Sequence, residues 1–117
     1  MKKIYYLASC NTCQKILKEL QPLDGVVLQE IKTEAITEPQ LEEMYAITGS
    51  YEALFSRRAM LFRQRNLKEK TLSETDYKSL ILEHYTFLKR PVILVDGHIF
   101  VGNAKKMVQG AKEALHS

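Results

Sequence analysis

A chain of 117 residues with 45% hydrophobic content has the size and composition of one ordinary domain, 1–117, with a single core. Its 17 basic and 14 acidic residues leave a net charge of +3, too balanced to argue for direct nucleic-acid binding, although an anionic substrate is permitted. No apolar run approaches a membrane span, and the positive start Met1-Lys2-Lys3 precedes only about five apolar residues against the roughly 7–15 of a signal peptide, so a cytoplasmic protein with no membrane partner is expected.

The first strand is expected at 4–7, where Ile4, Tyr5, Tyr6 and Leu7 are apolar on both faces, as suits a central strand covered on each side. It runs into Leu7-Ala8-Ser9-Cys10-Asn11-Thr12-Cys13-Gln14-Lys15, which contains both cysteines of the chain at redox spacing. Cys13, Ile16, Leu17 and Leu20 recur at helical spacing, so Cys13 faces inward and Cys10 emerges at the helix N-terminus as the more exposed sulfur. Backbone N–H groups and the helix dipole there favour an anion, which lowers a thiol's pKa and makes Cys10 the candidate nucleophile. Cys13 is read equally as a small packing residue or as a resolving thiol. After the turn signal Pro22-Leu23-Asp24-Gly25, a second strand at 26–31 completes a βαβ unit.

A helical insertion is expected at about 36–88. Thr37-Glu38-Pro39-Gln40 resembles a capping box, followed by the stripe Leu41, Met44 and Tyr45 and a stop at Gly49. Tyr51, Leu54, Phe55 and Arg58 continue at helical spacing, which places an arginine on an apolar stripe and favours Arg58 over Arg57 as a functional residue of an otherwise solvated basic run. Ser73 opens a further helix whose stripe is Tyr77, Leu80, Ile81, His84, Tyr85 and Leu88, with His84 as a helix-face residue. The last third returns to strands: Val92-Ile93-Leu94-Val95, the type I′ pair Asp96-Gly97, and His98-Ile99-Phe100-Val101 read as a tight hairpin. Asn103 is the expected N-cap of a final helix with Ala104, Met107, Val108, Ala111 and Leu115 inward.

The order β-α-β, helical insertion, β-β-α fits an α/β, thioredoxin-like mixed four-stranded sheet. Three separated blocks, Tyr6 to Lys15, Phe55-Ser56-Arg57-Arg58-Ala59-Met60-Leu61-Phe62 and Lys89-Arg90-Pro91-Val92-Ile93, resemble the glutathione/glutaredoxin-coupled arsenate reductase family, which also contains the Spx transcriptional regulators. The resemblance implies a thioredoxin-like sheet with an inserted helical subdomain. It makes Cys10 the thiol that attacks an oxyanion or disulfide substrate, and Arg58 and Arg90 the arginines that hold the anion, with Asn11 and Thr12 beside them. It also implies glutathione/glutaredoxin or thioredoxin as electron donor, with no bound cofactor. Pro91, opening a fully apolar strand, matches the proline that thioredoxin folds place opposite the cysteines and is expected to be cis.

The third arginine of those reductases has no counterpart in Phe100-Val101-Gly102-Asn103, and Gln14 stands where an arginine often follows the cysteine loop. Cys13 matches instead the Cys-x-x-Cys of the Spx proteins, which implies a dithiol switch and RNA polymerase as an alternative partner, although their longer C-terminal extension has no match here. One Cys-x-x-Cys and three unspaced histidines do not make a metal site.

Overall fold

β1 (Lys2–Tyr6) takes an inner position in a four-stranded sheet of order β2-β1-β3-β4, in a computed structural model that describes all 117 residues. β2 (Val26–Glu30) lies parallel to it, with Tyr6 opposite Glu30. β3 (Val92–Val95) is antiparallel to β1, with Tyr5 opposite Val92, and β4 (His98–Val101) returns antiparallel with Val101 opposite Val92. These registers bring the ends of β1, β2 and β4 and the start of β3 to one edge of the sheet. The cysteine loop, Glu30, Arg90-Pro91 and Gly102 are therefore gathered there by topology.

The strand expected at 4–7 is central, and its Ile4 and Tyr5 are buried on opposite faces. On one face Ile4, Ile93 and Val95 pack with Ile16 and Leu20 of α1 (Asn11–Glu19 and its C-cap) and with Val108, Ala111 and Leu115 of α5 (Lys105–Leu115). Each of the Ile, Leu and Val side chains contributes about 1.5–3 kcal/mol by leaving water, and Ala111 less. The hairpin turn is as expected: Asp96 and Gly97 have φ of 47° and 88°, the positive pair a type I′ turn needs. α5 starts one residue later than expected. Ala104 rather than Asn103 is its N-cap, and Ala104 is exposed rather than inward.

Gly110 lies on α5 where an added Cβ would sit 2.9 Å from Phe100 Cε1. Gly110→Ala gains roughly 1 kcal/mol of helix propensity but overpacks against that ring at a cost of about 1–3 kcal/mol. The expected outcome is a net loss of about 1 kcal/mol in urea unfolding, reversing to a gain in a Phe100→Leu background.

The contacts divide the chain into two compact units, one of Met1–Ala35 with Arg90–Ser117 and one of Ile36–Lys89. The second unit is helical. α2 (Glu38–Thr48) begins at the capping box read from the sequence, with Thr37 and Gln40 bonded reciprocally, and ends at Gly49 in the left-handed conformation. α3 (Met60–Gln64) is short, and α4 (Glu74–Glu83) opens on a second capping box between Ser73 and Asp76. Lys78 of α4 bridges Glu38 and Glu42 of α2 at 3.0 and 3.1 Å, and Glu74 accepts from the Tyr51 and Glu52 N–H groups.

Two helical expectations fail in this unit. The spacing at Tyr51, Leu54, Phe55 and Arg58 is not one helix: a single 3-10 turn, Glu52–Leu54, gives way to extended Phe55, which bridges Leu88. Ser56 N–H donates to Phe87 O and Lys89 N–H to Leu54 O, both at 2.8 Å. That pairing places the Phe55 ring among Phe62, Tyr77 and Phe87, a burial that outweighs continuing a helix. His84 is not on a helix face either. It terminates α4 in an extended conformation, and its Nδ1 accepts from Thr86 N–H to cap the next turn. No helix is long and apolar enough to cross a membrane.

Candidate active site

The cysteine loop is built from backbone bonds outward. Tyr6 O accepts from Ile31 N–H at 2.9 Å as the last tie to β2, Cys10 N–H turns back to Leu7 O at 3.1 Å, and Gln14 N–H donates to Cys10 O at 3.1 Å to begin α1. Cys10 is the N-cap and half-buried, whereas Cys13, one turn on, is fully buried; both are free thiols. Between these ties stands the Ala8 peptide. Its N–H donates to Glu30 Oε2 at 2.9 Å, and its carbonyl accepts from the Gln14 side-chain amide. The other Glu30 oxygen accepts from Lys32 N–H at 3.1 Å, Thr33 N–H at 2.8 Å and the Thr33 hydroxyl at 3.0 Å.

Burial works against a thiolate at Cys10, but the Cys13 N–H and thiol, the Thr12 N–H and the Arg90 charge together outweigh it and hold Cys10 below the ordinary thiol value. Cys13 moves the other way. Burial foremost, with the charge and sulfur of Cys10 adding to it against the Leu7 backbone and Arg90, pushes its thiol up to about 11. At Glu30 burial is the largest single effect and works against the charge, but the Ala8 N–H, the Thr33 N–H and hydroxyl and the Lys32 N–H together outweigh it, so the carboxyl stays below the usual range and is ionised at neutral pH.

Of the residues singled out in the sequence, Cys10, Asn11, Thr12, Cys13, Arg90 and Pro91 all lie in the unit that holds the sheet. Asn11 and Thr12 are exposed in the first turn of α1. Pro91 is buried, the Arg90–Pro91 bond is cis as expected, and Pro91 O accepts from Gly102 N–H at 2.9 Å. A second cis bond, Gln21–Pro22, had no signal in the sequence.

Arg58 belongs to the other unit and is exposed in a turn, with its N–H donating to Ser56 Oγ at 3.4 Å. It does not ride on an apolar helical stripe. Its neighbour Arg57, also exposed, is tied to Glu52 at 2.6 Å and to the Tyr77 hydroxyl at 2.9 Å. Glu30 escaped the sequence reading altogether. Its only signal was a carboxylate at the end of a strand expected beside the cysteine loop. No group of three or more His, Cys, Asp or Glu side chains is assembled that could hold a metal ion.

Comparisons with known proteins converge on one group. A model of the ArsC family matches residues 5–111. The global transcriptional regulator Spx 2 of Bacillus cereus is 28% identical over 102 residues, covering 85% of this chain and 77% of its own, and its Bacillus anthracis counterpart is 28% identical over 105 residues. Among solved structures, an arsenate reductase from Vibrio cholerae superposes with a TM-score of 0.77 at 17% identity over 97% of this chain and 96% of its own. An ArsC family related protein from Bacteroides fragilis gives 0.79 at 19% identity over 94% and 97%. The mixed four-stranded sheet is thus the thioredoxin-like α/β architecture of these proteins.

Proposed function

The chain belongs to the ArsC family, and from that footing we propose that it is a thiol-dependent oxidoreductase in which the Cys10 thiolate attacks an oxyanion or disulfide substrate. The observation that carries this is the split between the two sulfurs: the half-exposed one is favoured as thiolate, and the buried one is kept protonated. An incoming anion repels a thiolate unless fixed positive charge faces it, and Arg90 already acts electrostatically on Cys10. Arg58 is assigned as the second cation on the strength of its family block, with Asn11 and Thr12 at the first turn of α1 completing the anion-binding set.

The new bond to Cys10 displaces water from a protonated oxyanion, or a thiolate from a disulfide, and a second thiol must then attack so that the two sulfurs end as a disulfide, supplying the two electrons of the reduction. Cys13 is a poor nucleophile at neutral pH while Cys10 is charged, because that charge is among the causes of its raised pKa. Once the Cys10 sulfur is bonded to substrate it no longer carries that charge, which removes one cause of the raised pKa while burial, the largest, stays. Glutathione with glutaredoxin, or thioredoxin, is assigned as the external donor. The test is arsenate-dependent oxidation of glutathione with glutaredoxin present. Cys10→Ser is expected to lower kcat/KM at least a hundredfold, about 3 kcal/mol of transition-state stabilisation; retention of more than a tenth of the activity would falsify the assignment.

A second reading is favoured by a specific observation, the Spx 2 relatives together with the Cys-x-x-Cys. In it, closure of a Cys10–Cys13 disulfide sets affinity for RNA polymerase. No turnover with any of these donors, combined with polymerase binding that changes on oxidation, selects this reading over the first.

A further inference from the structure

We infer that Glu30 is a positioning residue for Cys10, acting with Gln14 through the Ala8 peptide. The inference rests on the reading of Cys10 as the reactive thiolate and names what sets that reactivity. Of the three residues between β1 and Cys10, Leu7 is buried, but Ala8 and Ser9 are exposed and have little packing to locate them. Hydrogen bonds must do it instead, and both polar groups of Ala8 are taken by side chains from different elements: its N–H by Glu30 at the end of β2, its carbonyl by Gln14 on α1. The Cys10 N–H then returns to Leu7 O.

Glu30 is suited to this because it is doubly anchored. Its second oxygen collects the Lys32 and Thr33 N–H groups and the Thr33 hydroxyl, so the carboxylate that grips the loop is itself fixed at both ends. A carboxylate offers two acceptor oxygens, whereas a glutamine offers one oxygen and a donor amide. Glutamine can serve Ala8 or the turn after β2, but not both. Without the grip the loop is free to swing Cys10 away from the Thr12 and Cys13 N–H groups and from Arg90, which are the groups that stabilise its thiolate.

Following ultraviolet thiolate absorbance against pH on the full chain reads this directly, with urea unfolding in parallel to report stability. For wild type a Cys10 midpoint below the ordinary thiol range is expected. Glu30→Ala and Gln14→Ala should each raise it by about one pH unit, roughly a tenfold loss of thiolate below the midpoint, and Glu30→Gln by less. Gln14 is exposed, so its variant folds even where Glu30→Ala does not. A lowered stability with the midpoint unmoved in Gln14→Ala and Glu30→Gln overturns the positioning role and leaves the proposed function standing. A wild-type midpoint in the ordinary range overturns the reading of Cys10 itself.

Discussion

Iodoacetamide at neutral pH is expected to alkylate Cys10 at least an order of magnitude faster than Cys13 in the native protein. Cys10 is held below the ordinary thiol value of 9.0 and Cys13 is raised to about 11. A gap of at least roughly two units makes the Cys10 thiolate about a hundredfold more abundant. The more basic thiolate is intrinsically the better nucleophile, which returns up to about tenfold. Burial of Cys13 at 0% exposure then removes its access to the reagent. Peptide mapping by mass spectrometry during a time course measures the ratio, and equal labelling of the two sites contradicts it.

Labelling rises with pH at both sulfurs but over different ranges. Cys10 labelling levels off once pH passes its lowered pKa, while Cys13 labelling climbs throughout the alkaline range. The same shifts act on stability. Cys13, raised in the folded state, favours folding below the ordinary thiol value, and this is lost as pH rises from 9.0 toward about 11. Cys10, lowered in the folded state, favours folding above the ordinary value, and this is lost as pH falls through its folded pKa.

Phe55→Ala is expected to destabilise the protein by about 3–5 kcal/mol, much of the roughly 5–15 kcal/mol available to a domain. The Phe55 ring is fully buried, with centroids 4.9 Å from Tyr77, 5.3 Å from Phe87 and 5.9 Å from Phe62. Truncation leaves a cavity bounded by these three rings, and partial relaxation around it sets where in that range the loss falls. Phe55→Leu fills part of the space and should lose clearly less. Urea unfolding with an unchanged slope measures both; a loss under about 1 kcal/mol for the alanine variant places the centre of this unit's core elsewhere.

What could be read from the sequence was whatever short-range chemistry decides. The Asp96-Gly97 turn, the capping box at Thr37, the inward face of α1 and the exposure order of Cys10 and Cys13 each depend on residues within one or two turns of one another. Tyr51 to Arg58 was misread because apolar spacing there is produced by a pairing with residues 87–89, more than thirty positions away. His84 failed for a related reason: its ring serves as a cap to the following turn, and a periodic stripe does not register that. Glu30 and Gln14 were invisible as a pair because what they hold is backbone. No side-chain pattern marks a peptide group that has lost its place in a sheet.

Gly102 bears on the missing third arginine. It stands with φ of 88° in the stretch where that arginine would fall, and its N–H is committed to Pro91 O. A long cationic side chain grafted at this position would have to occupy left-handed backbone and would strain the bond that fixes the cis-proline segment. A cationic side chain introduced in this stretch avoids that strain at the exposed neighbour Asn103, where no left-handed backbone has to be filled.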